Sequence, residues 1–292
     1  LNIDPPRTPL HTVPRFRLLV AYDGTDFHGW QRQEPLNLPA LRTAQGVLTA
    51  AVCDLMRERI TVHGASRTDS GVHALGQVAA FSIADPRVPV ERMAMALNTR
   101  LPKDIEVRGV WRVADAFDPV RSCRSKNYFY RLRHGCAGRP DGLNGRADPF
   151  ERRTTAQCRH PLDAVRMRAA AALIIGTHDF RSFAHNPDQR ESTVRTVHTC
   201  TIVEPAAGIM RIDVSGSGFL HHMVRILVGT LVEVGRGRFE PESVADILAA
   251  RDRARAGKTM SPVGLCLEWI HYGDDDKVIP PQSSESTMES PQ

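Results

Sequence analysis

The chain has 292 residues, 41 % hydrophobic and 24 % charged, with a formal net charge of +5. That balance supports a folded core, in one large domain or two modest ones. It excludes a disulfide scaffold: the six cysteines, at 53, 123, 136, 158, 200 and 266, are sparse, and no two form a Cys-x-x-Cys pair. The common zinc-ribbon patterns go with them, and a reducing compartment is expected. No apolar run reaches membrane length, since 219–234 is interrupted by His221, His222, Arg225 and Glu233. The polar, proline-broken start does not read as a signal peptide.

The charge is unevenly placed. Residues 274–292 hold five acidic residues and one lysine, which leaves +9 for residues 1–273. A body this basic attracts a polyanion, and its basic residues are mostly arginine, suited to fixed phosphate contacts.

Residues 1–14, with four prolines, read as a flexible lead. The pattern predicts a strand over 15–22, then a glycine- and aspartate-rich loop, then a helix over 44–57 with Val47, Leu48, Ala51, Val52 and Leu55 at helical spacing. A short strand is expected at 60–63, a second at 77–83, a helix over 90–101 and an alternating strand over 105–113. After a seam near 114–124 the order begins again. Strands are expected at 126–133, 194–203, 209–214 and 265–272, and helices at 162–175, 218–234 and 241–255. Residues 274–292 read as a disordered acidic tail. The expectation is an α+β protein with two similar halves, 15–115 and 116–273. They share a continuous, mostly antiparallel sheet with helices on its outer face and a ligand cleft between them.

Arg67, Thr68 and Asp69 lie between Gly64 and Gly71 in a loop joining two strands, which suits a positioned polar set. They also fit a surface turn in which Asp69 caps Gly71 or Val72. Arg225 stands among Met223, Val224, Ile226, Leu227 and Val228. It must either snorkel to water or meet a carboxylate, because an unpaired buried charge is too costly. Asp69, in the other half, is the favoured partner. On a helix His221, Arg225 and Gly229 share a face, whereas the adjacent His221 and His222 point about 100° apart and make a poor ligand pair. Tyr128 and Tyr130 share a strand face, and either ring suits base stacking or core filling. The 22–33 loop matches no glycine-rich nucleotide motif.

Four stretches carry a family resemblance: YDGTDFHGWQRQ at 22–33, GASRTDSGVHALGQVAAF at 64–81, KNYFY at 126–130 and GFLHHMVRILVGTLVEVGRG at 218–237. HDFRSF at 178–183 and PVGLCL at 262–267 add to it. Together they resemble the TruA-type tRNA pseudouridine synthases, which modify uridines 38, 39 and 40 of the anticodon arm. The likeness spans 15–273. It implies the pseudouridine synthase fold, a tRNA substrate, a cytoplasmic homodimer, and neither cofactor nor metal. It implies that Asp69 is the catalytic aspartate and Arg225 its basic partner. Arg67 would hold open the flipped-nucleotide site, Tyr128 would stack on the uracil, and Leu265 would pack near the base. One departure is Lys126 before Asn127 and Tyr128, where some members carry an arginine before the tyrosine. The alternatives from the residues alone are a non-catalytic RNA-binding protein and a carboxylate hydrolase acting on a small polyanion.

Overall fold

The computed structural model describes residues 13–33, 39–135, 148–185 and 192–273. The expected lead at 1–14, apart from Val13 and Pro14, and the expected tail at 274–292 lie outside the described residues. In chain order the elements are β1 Arg15–Tyr22, α1 Ala44–Met56, β2 His63–Gly64, β3 His73–Ser82, α2 Val90–Asn98, β4 Ile105–Val113 and β5 Ser125–Arg133. They continue with β6 Ala156–Gln157, α3 Ala164–Ala172, β7 Gly176–Asp179, β8 Val194–Ala206, β9 Ile209–Gly216, α4 Met223–Gly235, α5 Ser243–Ala250 and β10 Leu265–His271.

The ten strands among the described residues form one sheet. Its path runs β4-β1-β3-β10-β5-β9-β8-β7, with β2 on β3 and β6 on β5. The α+β sheet expected from the sequence is therefore present. Every pairing is antiparallel except β10 with β3 and β5 with β6. The strands of the first 113 residues occupy one end of the path and those after residue 125 the other. They meet where β10 runs parallel to β3 over only two residue pairs, Cys266 with His73 and Leu267 with Ala74. That narrow seam brings the start of β3, and the loop before it, beside the start of β10.

Two of the five described α-helices start on a side-chain cap. The Thr43 hydroxyl accepts from Gly46 N–H at 3.2 Å and starts α1. The Asp163 carboxylate accepts from Val165 and Arg166 N–H at 2.9 and 3.0 Å and starts α3. Four expectations are corrected. The short strand at 60–63 is β2, at His63–Gly64; Ile60 and Val62 are buried by their side chains and lie outside the ladder. β3 begins at His73, four residues before the expected start. The helix at 218–234 begins only at Met223, because His222 adopts left-handed backbone with φ 61°. The helix at 241–255 stops at Ala250, where Arg251 is left-handed, and a single 3-10 turn follows at Arg253–Arg255.

His73 ties the seam together. Gly24 N–H donates to its Nδ1 at 3.1 Å, and its Nε2 lies 3.2 Å from the Val263 carbonyl. Nδ1 thus accepts, and the ring proton sits on Nε2. Asp23 Oδ1 is 3.2 Å from Nδ1, but Arg153 already engages Asp23 at 3.4 Å and Asp26 at 2.5 Å. Burial dominates and holds the imidazole below its ordinary range, with the Asp23 charge opposing. The unfolded chain accepts a proton near pH 6.5 that the folded one resists. The contribution of His73 is therefore complete above about pH 6.5 and is lost as the pH falls below it. Urea unfolding from pH 7.5 down to 5 should show this loss, and His73→Gln should have a flatter profile. Equal slopes in the two proteins would refute the assignment.

Candidate active site

The site grows from the loop between β2 and β3. Gly64 lies flat beneath Trp30, where an added Cβ would meet the indole at 2.2 Å. Gly71 turns the chain back with φ +78°. Between them, Trp30 N–H donates to the Thr68 carbonyl at 3.1 Å, and the Tyr22 and Thr68 hydroxyls are 2.8 Å apart. Gln77 braces the entry: its amide donates to the Ser66 carbonyl at 2.6 Å and accepts from Ser66 N–H at 3.2 Å. The loop is thus clamped by the 22–33 segment on one side and by β3 on the other. The turn at Asp69 closes through backbone, with Val72 N–H donating to the Asp69 carbonyl at 3.1 Å. The Asp69 carboxylate is left free of capping duty.

That carboxylate meets Arg225. Arg225 Nη1 donates to Asp69 Oδ2 at 2.9 Å, and the two side chains are only 13 % and 22 % exposed. Arg225 Nε donates to the Met260 carbonyl at 2.7 Å, and Met260 N–H returns to the Arg225 carbonyl at 3.2 Å. The guanidinium is therefore fixed before it reaches the carboxylate. Its two fixed donors use the fork geometry that distinguishes arginine from lysine.

His221 and His222 also converge on Asp69, their Nε2 atoms 3.5 Å from Oδ1 and 3.4 Å from Oδ2. The helical reading had them diverging; because α4 starts only at Met223, they do not. His222 is pushed down to about 4 by burial, with His221, Arg225 and His185 acting in the same direction and Asp69 opposing. Its imidazole is neutral at neutral pH, so its approach to Asp69 is not an ion pair.

Tyr128, on β5, forms part of the wall. It is 5 % exposed, its hydroxyl is 2.9 Å from Ser66 Oγ, and its ring meets Phe219 edge-on at 5.5 Å. Burial, chiefly, and the nearby Asp69 raise its phenol well above the usual tyrosine range, so it stays neutral. Tyr130, its alternative on the same face, is fully buried, and its hydroxyl donates to the Ser261 carbonyl at 2.8 Å. Leu265 is buried at the start of β10 and lines the same cleft. Arg67 lines it too, but its side chain is exposed and does not join the Asp69 cluster. Reading the sequence missed Ser66, whose only signal was adjacency to Arg67, and treated Lys126 only as a departure from the arginine of some members; Lys126 Nζ lies 3.4 Å from both Ser66 Oγ and the Ala65 carbonyl.

The cleft encloses about 1460 Å³. That exceeds the roughly 300–1,000 Å³ of small-molecule pockets and suits part of a macromolecule. Its charged lining is Arg67, Arg121, Lys126 and Arg225 against Asp69 and Asp118, a positive balance. Asp69 thus stands as a clamped carboxylate on the wall of a wide cleft whose charged lining is positive on balance.

Comparison with known proteins makes the class specific. A family described as "tRNA pseudouridine synthase" matches residues 18–118 and 170–273. The chain is 42 % identical over 261 residues to tRNA pseudouridine synthase A of Moorella thermoacetica, covering 89 % of this chain and 100 % of that protein. It is 41 % identical over 264 residues to the protein of that name from Myxococcus xanthus, covering 90 % and 93 %. For the Leuconostoc citreum protein the identity is 38 % over 267 residues, covering 90 % and 99 %. The chain belongs to the tRNA pseudouridine synthase family, isomerases that convert uridine in tRNA to pseudouridine.

Removing Arg225 should strand the Asp69 charge. Arg225→Ala should lower the unfolding free energy by on the order of 2–4 kcal/mol, read by urea denaturation. Arg225→Lys should recover part of that loss but little of the turnover, because one ammonium cannot serve both Met260 and Asp69 in the same geometry. Unchanged melting and activity in Arg225→Ala would remove the ion pair from the account.

Proposed function

We propose that Asp69 is the catalytic carboxylate for pseudouridine formation at positions 38, 39 and 40 of the tRNA anticodon arm. The observation that carries this is the 2.9 Å contact from Arg225, which fixes a carboxylate on the wall of a basic cleft that also carries Tyr128. The reaction breaks the C1′–N1 bond, turns the uracil, forms C1′–C5 and moves the C5 proton, with no net gain or loss of atoms. The target must first leave its stack. Asp69 then adds to C1′ or C6, or removes the 2′ proton; each route starts with this carboxylate in contact with the nucleoside. Asp69, or a water held by Tyr128, takes the C5 proton at the end.

Arg225 aims the carboxylate throughout. The Tyr128 ring supplies a flat wall for the uracil, and Leu265 packs beside it. Arg67, exposed at the cleft, is placed to hold the space left by the flipped nucleotide. The 15–115 and 116–273 halves act as the two walls of the cleft, and the protein works as a homodimer with one tRNA spanning both subunits. No described helix is long and apolar enough to cross a membrane, and the five described cysteines are all free. The free cysteines fit work in the cytoplasm on a tRNA substrate.

Asp69→Asn should lower turnover by roughly ten-thousand-fold or more while leaving tRNA binding within a small factor. Tritium release from tRNA carrying C5-labelled uridine reads the first quantity, filter binding the second, and modification mapping shows whether 38, 39 and 40 are the targets. Lost binding with normal chemistry on bound tRNA would overturn the role of Asp69. Wild-type binding without any tritium release would make the protein a non-catalytic RNA binder.

A further inference from the structure

The convergence of two histidines on Asp69 has no part in the chemistry above. Neighbours on a regular helix diverge by about 100°. Here the left-handed residue His222 brings the rings together, with centroids 3.9 Å apart. His185 packs against both, at 5.2 and 4.8 Å, and its N–H donates to the His221 carbonyl at 3.0 Å. The pair is thus held from behind. In front, the two Nε2 atoms sit 3.5 and 3.4 Å from the Asp69 oxygens, beyond good hydrogen-bond length. One ligand atom from each of the three residues lies within 4.8 Å of the others. The two approaches run to different oxygens, and in a tetrahedral zinc site with bonds of about 2.0–2.1 Å the ligand atoms stand roughly 3.3–3.4 Å apart, so the three side chains must draw in on the ion.

From this spacing we propose that Asp69, His221 and His222 capture a borderline divalent cation, Zn²⁺ above all, and that the ion shuts the site against uridine. Two imidazoles and one carboxylate suit zinc, whereas magnesium and calcium take all-oxygen sets. Three protein ligands leave the fourth position to water, as in an open zinc site. Two features limit the affinity. Arg225 holds Oδ2 at 2.9 Å, so the ion shares Asp69 with a fixed positive charge. Among the described residues His222 Nδ1 is buried without a hydrogen-bond partner, so no described outer group supports its ligation. The captured ion is therefore reversible and inhibitory rather than structural.

The test is calorimetric titration of ZnCl₂ into the full chain without tRNA, at neutral pH. One saturable zinc per chain is expected. Both His221→Ala and His222→Asn should weaken it by roughly tenfold or more. Asparagine tolerates the left-handed backbone at 222, and His221, half exposed, gives a decisive variant should the first not fold. Zinc at saturating level should stop tritium release from C5-labelled tRNA, with recovery on adding EDTA. An absence of saturable binding, or an affinity unchanged in His221→Ala, would overturn the proposal. Only the inhibitory consequence rests on the pseudouridine reading: binding lost in the variants of a chain that releases no tritium would keep the capture site and reject that reading.

Discussion

One guanidinium–carboxylate contact ties α4 to the loop before β3 at the wall of the cleft. Arg225 approaches Asp69 from α4, and Asp69 stands on the loop before β3, 156 residues away in sequence. Neither group is deeply buried, yet neither is free in water. Such a pair gains little if its members must be ordered for it, and much if they are already in place. Both are in place. The Met260 carbonyl fixes the guanidinium, and the clamped 64–72 loop fixes the carboxylate.

The sheet makes this meeting possible. β10 threads between β3 and β5, so the last described strand lies between strands from before residue 114 and strands from residue 125 onward. The β3–β10 contact is short, and side chains reinforce it. His73 bridges Gly24 and Val263, and Arg153 reaches Asp23 and Asp26 across the same boundary. These contacts anchor the exit of the Asp69 loop and the turn ahead of Leu265. The stability of the seam and the geometry of the site are consequently one problem.

Much of this was legible in the residues. Arg225 inside an apolar run forced a choice between water and a carboxylate, and the Asp69 pairing followed from the cost of leaving the charge alone. The long alternating strands and the helical spacing of 44–56 were readable because their periods extend over many residues. β2, β6 and β7 span two to four residues and carry no period to read. The left-handed turn at His222 was hidden for a different reason: glycine and asparagine mark such positions, and histidine does so less often. That one backbone angle moved the start of α4 by five residues and reversed the relation between His221 and His222. The choice between Tyr128 and Tyr130 depended on Ser66 and Ser261, which lie 62 and 131 residues away in the chain. Strand alternation alone treats the two tyrosines alike.

The most direct test is a double-mutant cycle in unfolding free energy, built from Asp69→Ala, Arg225→Ala and the pair together. The account predicts strong coupling: with the carboxylate already gone, losing the arginine should cost less than it does in the wild type, by at least about 1 kcal/mol. Losses that add to within about 0.3–0.5 kcal/mol would show that the two groups do not depend on one another, and would contradict it.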